Sequence, residues 1–396
     1  MVNNISTVAE RATVIASPRL WLEGAAIQQL IKTTQLPGMV RAVGMPDLHP
    51  GRGYPVGAAF FSAGHFYPAL VGNDIGCGVS VWSTDLPTAK IKLDKLDRQI
   101  GNLDGVVDDA EHARIADAFP AIAAQRDAVE AALAAAGLDT RHMRSAGTIG
   151  RGNHFAELQR VERVVDGDAP AALADPKRLN LVVHSGSRGL GESILREHVD
   201  AFGHAGLAEG SPAAQAYLAR HAAAVAFAEL NRCLIAARIC VRLGASAVRE
   251  LDVNHNTVTF ESFDGTAGWT HRKGATPMAG AAILIPGSRD ALSYLVAPVA
   301  GAAAASLGSL AHGAGRKWQR ADCRGRLEKT GMLKDPAKGA LGSRVICRDK
   351  ELVFEEAGAA YKPIDTVIDS LAGAGLVRVL AEYRPVLTYK TRGECC

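Results

Sequence analysis

Residues 71–80, VGNDIGCGVS, place Asp74 and Cys77 three positions apart among Gly72, Gly76 and Gly78. Glycine loses more backbone freedom on folding than any other residue, so three within seven positions mark a turn whose geometry demands them. In such a turn a carboxylate and a thiolate can face one ion, and the thiolate can bridge two. The chain has twelve histidines. His112, His142, His198, His204 and His221 fall in helical or polar segments and read as solvated or internally satisfied. His49, His154, His184, His255 and His312 each border a strand end or a Gly/Ser/Asn turn, where a side chain reaches a shared cleft while the scaffold stays rigid. One such histidine would read as structural; five beside Asp74 and Cys77 read as a composite metal site. Ligand softness taken alone points to zinc.

Three loops pair glycines with cations: SGSRGLG at 185–191, PGSRD at 286–290 and HGAGRK at 312–317. Glycine-rich turns that open helices present unpaired N–H groups to phosphate. Each loop singly reads as a turn that needs glycine. Three of them beside a metal set point to a phosphorylated substrate, hence to phosphoryl or nucleotidyl transfer, where positioning and charge neutralisation carry the catalysis.

The elements that must hold these residues alternate in character. Residues 1–85 read as short strands and turns, 90–137 as helical, and 145–190 as strands and glycine loops. Residues 191–249 are again helical, then strands resume in LDVNHNTVTFESF and AAILIPGS. A helical Ala/Gly segment leads to AHGAGRKWQR, and YRPVLTYK reads as a terminal strand. We expect an α+β fold, one domain over 1–396, with helical insertions at about 90–137 and 191–249. A length of 396 residues with 48% hydrophobic and 21% charged residues fits a soluble enzyme. A net charge of +3 argues against whole-protein attraction to polyanions, so any such site is local. The apolar run AAAVAFAELNRCLIAARICVRL is interrupted by Glu229, Asn231, Arg232 and Arg238, which makes it a buried helix and not a membrane span. The N-terminus lacks the basic start and apolar run of a signal. Seven scattered cysteines without CxxC pairs fit a reduced, cytoplasmic setting, with Cys395 and Cys396 in an exposed tail.

The stretches MPDLHPGRGYPVGA, DIGCG, GTIGRGNHFAEL, HSGSRGLG, NHN, HRKGAT, LIPGS, HGAGR, AYK and RPVLTYK occur in one order along nearly the whole chain. Together they resemble the RtcB family of RNA-splicing ligases. The resemblance implies mixed sheets around a deep metal and nucleotide cleft. It implies Asp74, Cys77, His154, His184 and His255 as ligands, for a pair of Mn2+ ions sharing the thiolate, and so displaces zinc. It implies His312 as the nucleophile toward the α-phosphate of GTP, forming a histidine–GMP adduct. Asn153 and Glu157 match nucleotide-pocket positions, the glutamate reading guanine, with Ser288, Tyr361 and Lys390 in the same pocket. Arg188 matches a cation near the RNA phosphate.

The implied activity joins an RNA 3′-phosphate, or a 2′,3′-cyclic phosphate after hydrolysis, to a 5′-hydroxyl. The implied partners are RNA with those ends and an archease-like activator, with the protein acting as a monomer. Departures from the family pattern are GSRDALSYLV, GATPMAGA, Trp318 and Gln319 after HGAGRK, and the tail TRGECC. These leave the ligand and nucleophile positions intact and bear on substrate choice, placing the chain nearer a divergent branch encoded beside a release-factor-like protein and suited to RNA repair more than tRNA splicing. His49 reads as fixing its loop and not as a ligand, and His271 as a strand-edge residue. Cys233, Cys240, Cys323 and Cys347 read as core or surface cysteines. The competing readings are a metal-dependent phosphodiesterase that does not join ends and an RNA-binding damage sensor with vestigial catalysis.

Overall fold

A computed structural model describes residues 4–330 and 335–393. The architecture is α+β. An eight-stranded sheet carries, in spatial order, Ala247–Asn254, Gly78–Pro87, Arg178–Ser185, Phe155–Val164, Val377–Thr391, Ser293–Pro298 and Ile283–Ile285, with Arg344–Cys347 added parallel to Val377–Thr391. A six-stranded sheet runs Ile5–Ala9, Ala12–Ile15, Met39–His49, Val56–Ser62, Thr266–Lys273 and Asn256–Phe263. A two-stranded pair, Ala275–Pro277 with Ser309–Ala311, completes the frame beside the loop that carries His312.

The 32-residue helix Pro212–Leu243 covers one face of the eight-stranded sheet. Ser211 Oγ caps it by accepting from the Ala214 N–H at 3.2 Å, Pro212 occupies the first turn, and Gly244 ends it in the left-handed region at φ 64°. Phe227, Leu230, Leu234 and Ile239 pack into the largest apolar cluster, with Leu158, Leu181 and Val183 from the strands. No helix among the described residues is long and apolar enough to cross a membrane.

Several expectations change here. The first helical stretch holds three helices, Leu93–Ile100, Asp109–Ala118 and Pro120–Ala135. The second ends at Leu243, because Ala247–Asn254 pairs with Gly78–Pro87 as a strand. The amphipathic helix Gly24–Thr33 interrupts what reads as strands and turns, burying Ala26 and Leu30. The Ala/Gly segment forms only the short 3-10 turn Ala303–Ser306. His271 is not at a sheet edge: its strand lies between Val56–Ser62 and Asn256–Phe263, and its fully buried ring accepts from the Tyr67 N–H at 2.8 Å. Of the three glycine loops, 185–191 alone opens directly into a helix, Gly189–Phe202, whereas 286–290 turns back into the strand Ser293–Pro298. Cys395 and Cys396 lie outside the described residues.

Candidate metal and nucleotide site

Four adjacent strands of the eight-stranded sheet bring the ligand-type residues to one end. Asn254 pairs with Gly78, Val79 with His184, and His184 with Phe155. His255, Cys77, His184 and His154 therefore sit at neighbouring strand ends, spaced by the interstrand distance of about 4.8 Å. His255 is the single residue between Ala247–Asn254 and Asn256–Phe263, so the strand break itself aims it. The chain before Gly78 threads through tight space. Gly76 has φ +71°, and a Cβ there would lie 2.9 Å from Ala228 Cβ; one on Gly78 would overlap the Val253 carbonyl. The glycines around Cys77 are thus required by fit against the long helix and the next strand.

Two triads form, Cys77–His184–His255 and Asp74–Cys77–His154, each with donor atoms within 4.8 Å of one another. Cys77 Sγ is 3.4 Å from Nε2 of both His154 and His184, His184 Nε2 is 3.3 Å from His255 Nε2, and His154 Nε2 is 2.8 Å from Asp74 Oδ2. Burial holds His184 and His255 well below the usual imidazole range, with His154 and His312 respectively adding to it. Burial and the nearby Asp74 push the Cys77 thiol up. Burial also pushes Asp74 up, but His154 outweighs it and its carboxyl ends below the usual range. Neutral imidazoles, a shared sulfur and a carboxylate with buried, unpartnered Oδ1 suit divalent cations. A Cβ on Gly186 would overlap the Asp74 carboxylate, so the glycine is what leaves room for it.

His312 follows the strand Ser309–Ala311, and its ring lies 4.9 Å from that of His255. Its Nδ1 is 2.5 Å from Oδ2 of the fully buried Asp47, which also accepts the His312 backbone N–H at 3.1 Å. That contact assigns the proton to Nδ1 and leaves the Nε2 lone pair free. His49 lies outside both triads; its Nδ1–H donates to the Asp47 carbonyl at 2.9 Å, and burial lowers its pKa to about 4. Lys362 fixes the same segment by donating to the carbonyls of Pro46 and Leu48 at 3.0 and 2.7 Å.

One cavity of about 290 Å³ connects this end to a second group of side chains. Asn153, Glu157, Ser288, Tyr361 and Lys390 all line it, together with Asp74, Cys77, His184, His255 and His312. Glu157 and Thr388 are cross-strand partners, and the Thr388 hydroxyl donates to Glu157 Oε2 while Gln159 donates to Oε1 at 2.7 Å. Burial raises Glu157 to about 7 despite these bonds. Glu356 receives Lys390 at 3.1 Å, Arg316 at 3.2 Å and the Tyr361 hydroxyl at 2.6 Å. Burial pushes Glu356 up, but Lys390 and Arg316 outweigh it and hold it at about 2. Arg188 stands apart from that lining, at the start of helix Gly189–Phe202 with φ 59°, its Nε 3.4 Å from Thr148 Oγ1 and its charge felt by Asp74.

The sequence reading did not single out Asp47 or Glu356, and took Arg316 only as one cation of the HGAGRK loop. It also took Asn231, Arg232 and Arg238 merely as breaks in an apolar run. Arg232 is fully buried and donates to the Gly76 carbonyl at 2.8 Å, the Ser185 carbonyl at 3.0 Å, Asp252 at 2.8 Å and Asn254 at 2.6 Å. One guanidinium thus ties together the three chain segments that carry Cys77, His184 and His255. Asn231 adds bonds to Gly147, Ser185 and Gly186, fixing the loop ahead of His154.

The sequence profile of the family described as tRNA-splicing ligase RtcB matches residues 29–109 and 105–391. The chain belongs to the RtcB family. It is 49% identical over 390 residues to the RNA-splicing ligase RtcB2 of Escherichia coli, covering 98% of each chain. To RtcB1 of that same strain it is 29% identical, over 95% of this chain and 97% of the relative. To the RNA-splicing ligase RtcB of Mycobacterium tuberculosis it is 31% identical, over 90% of this chain and 99% of the relative. Within the RtcB family the sequence therefore stands nearer RtcB2 than RtcB1.

Proposed function

We propose that this chain is an RNA ligase that uses GTP and a pair of Mn2+ ions to join an RNA 3′-phosphate to a 5′-hydroxyl through a His312–GMP intermediate. The observation that carries the reading is the placement of His312: Nδ1 bonded to Asp47, ring against His255, in one cavity with Glu157, Tyr361 and Lys390. Asp74, Cys77 and His154 would hold one ion, and Cys77, His184 and His255 the other. Bound there, the ions would neutralise phosphate charge and orient the reacting oxygens.

His312 Nε2 attacks the α-phosphorus of GTP; the N–P bond forms as the bond to the β-phosphate oxygen breaks, and pyrophosphate leaves. Asp47 keeps the Nδ1 proton in place and stabilises the positive charge that develops on the ring. An oxygen of the RNA 3′-phosphate then displaces His312 from the guanylate, restoring the imidazole. The 5′-hydroxyl attacks the activated 3′-phosphorus, losing its proton, and GMP departs. Water opens a 2′,3′-cyclic end to the 3′-phosphate beforehand. Glu157 is the acceptor for guanine N–H groups, Asn153, Ser288, Tyr361 and Lys390 complete the nucleotide pocket, and Arg188 meets RNA phosphate near Asp74. The departures at GSRDALSYLV, GATPMAGA and Trp318–Gln319 are our ground for placing the role in RNA repair.

Incubation with α-labelled GTP and Mn2+ tests this. An acid-labile, alkali-stable label that is absent from His312→Ala, with joining of 3′-phosphate and 5′-hydroxyl fragments, is the expected result. Fragments trimmed at their phosphate ends without any covalent label would leave a phosphodiesterase in its place.

A further inference from the structure

The segment after His312 leaves the cavity and enters a second depression. Arg316 and Arg320 line the cavity, whereas Lys317 and Trp318 line an open groove of about 480 Å³ with Trp21, Glu23, Asp322 and Arg326. Trp21 comes from the loop before helix Gly24–Thr33 and is 59% exposed. Trp318 carries Lys317 Nζ at 5.3 Å and the Arg326 guanidinium at 5.4 Å over its ring, which fixes two cations at the groove wall. The platform is anchored: the Lys317 and Trp318 N–H groups donate to the Ala360 carbonyl at 2.9 and 3.3 Å, and Arg316 Nε donates to the Trp318 carbonyl at 3.3 Å.

An exposed indole, Trp21, sharing a groove with two cations held on Trp318 has the composition of sites for single-stranded nucleic acid, where a base stacks and phosphates pair with the flanking charges. Asp322 lies 3.6 Å from Arg326, and Glu23 lines the same groove. These two carboxylates repel a phosphate run through the middle of the groove and can accept from the N–H edge of a base. The charge arrangement fits one nucleotide with its base inward.

We infer that this groove binds an unpaired nucleobase of the RNA close to the end being joined, stacked on Trp21, with phosphate beside Lys317 and Arg326. The inference deepens the ligase reading and rests on it for the identity of the RNA. The test is anisotropy of a labelled single-stranded RNA ending in a 3′-phosphate, beside the same strand made abasic near that end. Trp21→Ala weakens the intact strand about tenfold, and Trp21→Phe restores most of the loss. Wild type binds the abasic strand as weakly as Trp21→Ala binds the intact one, while Lys317→Ala weakens both strands alike. Equal affinity of wild type and Trp21→Ala for RNA, or wild-type indifference to the missing base, overturns the groove, including the case where Trp21 matters only for capturing a protein. GTP labelling of His312 on the same preparations separates the two readings. Label with base-indifferent binding sinks the groove alone; base-dependent binding without label sinks the ligase chemistry alone.

Discussion

Around Cys77, metal-ligating atom types crowd together: Sγ lies 3.4 Å from two imidazole nitrogens, and His184 Nε2 3.3 Å from His255 Nε2. Farther along the same cavity, Glu356 has already gathered Lys390, Arg316 and Tyr361, and Glu157 has gathered Thr388 and Gln159. The first end gathers the donor set of a divalent-cation site, with Asp74 Oδ1 buried and unpartnered. The second end is complete in the protein alone. The nucleotide proposed to bind there would meet polar groups held in place by their own partners, which lowers the cost of ordering them on binding. One cavity thus joins a half built of metal-ligating groups to a half whose polar groups are satisfied by one another.

Cys77→Ala breaks this contrast most severely. The sulfur belongs to both triads, so its removal is expected to cost both ions at once, read by elemental analysis, and to abolish end joining. Asp74→Ala and His255→Ala each strip one triad and keep the other. GMP affinity measured in a chelator stays that of metal-stripped wild type in all three. Retention of one tightly held ion by Cys77→Ala would show that the triads are independent.

Asp47→Asn probes the junction between the halves. The carboxamide can offer N–H to Nδ1, which favours the tautomer with its proton on Nε2 and silences the nucleophile. The rate of His312 labelling falls about 10²–10⁴-fold while metal content is unchanged. A wild-type labelling rate would remove Asp47 from the mechanism.

Arg232→Met sharpens the metal half from behind. It leaves Asp252 and the carbonyls of Gly76 and Ser185 without their buried donor. Removing one member of a buried pair costs about 3–5 kcal/mol, so the denaturation midpoint drops and metal affinity falls with it. Loss of stability with metal affinity intact would make Arg232 a fold residue and nothing more.

Much of the metal half was legible because its residue types are rare together and its positions fall at strand ends beside glycines. Strand pairing then did the rest, as with Val79, His184 and Phe155. Residues that act through burial left no such mark. Arg232 and Asn231 look like polar breaks in a helix until the helix is laid over the ends of Gly78–Pro87 and Arg178–Ser185. Asp47 sits two positions from His49, which drew the attention in DLHP, and only the return of residue 312 to that strand shows which side chain matters. His271 was misplaced because its strand neighbour, Val56–Ser62, lies some two hundred positions earlier in the chain. Glu356 belongs to no motif, and its importance lies in cations supplied by 316 and 390.

The mildest perturbation tests the nucleotide half through Glu157. Its carboxyl titrates near 7 because burial disfavours the charge. Guanine offers N–H donors, so the ionised form is the better partner, and affinity for guanine nucleotide should rise as pH increases through 7. Between pH 6 and 8 the carboxylate fraction grows about tenfold, which sets the size of the effect. Glu157→Gln keeps the shape and one acceptor oxygen but cannot ionise, so its affinity curve is expected to be flat over that interval and to cross the wild-type curve on its acid side. Calorimetric titration with guanosine, which carries no phosphate to titrate over this interval, reads this directly at several pH values, in chelator so that pH-dependent metal binding does not enter the result. A slope that survives in Glu157→Gln would assign the proton to another group and leave the guanine end without its proposed reader.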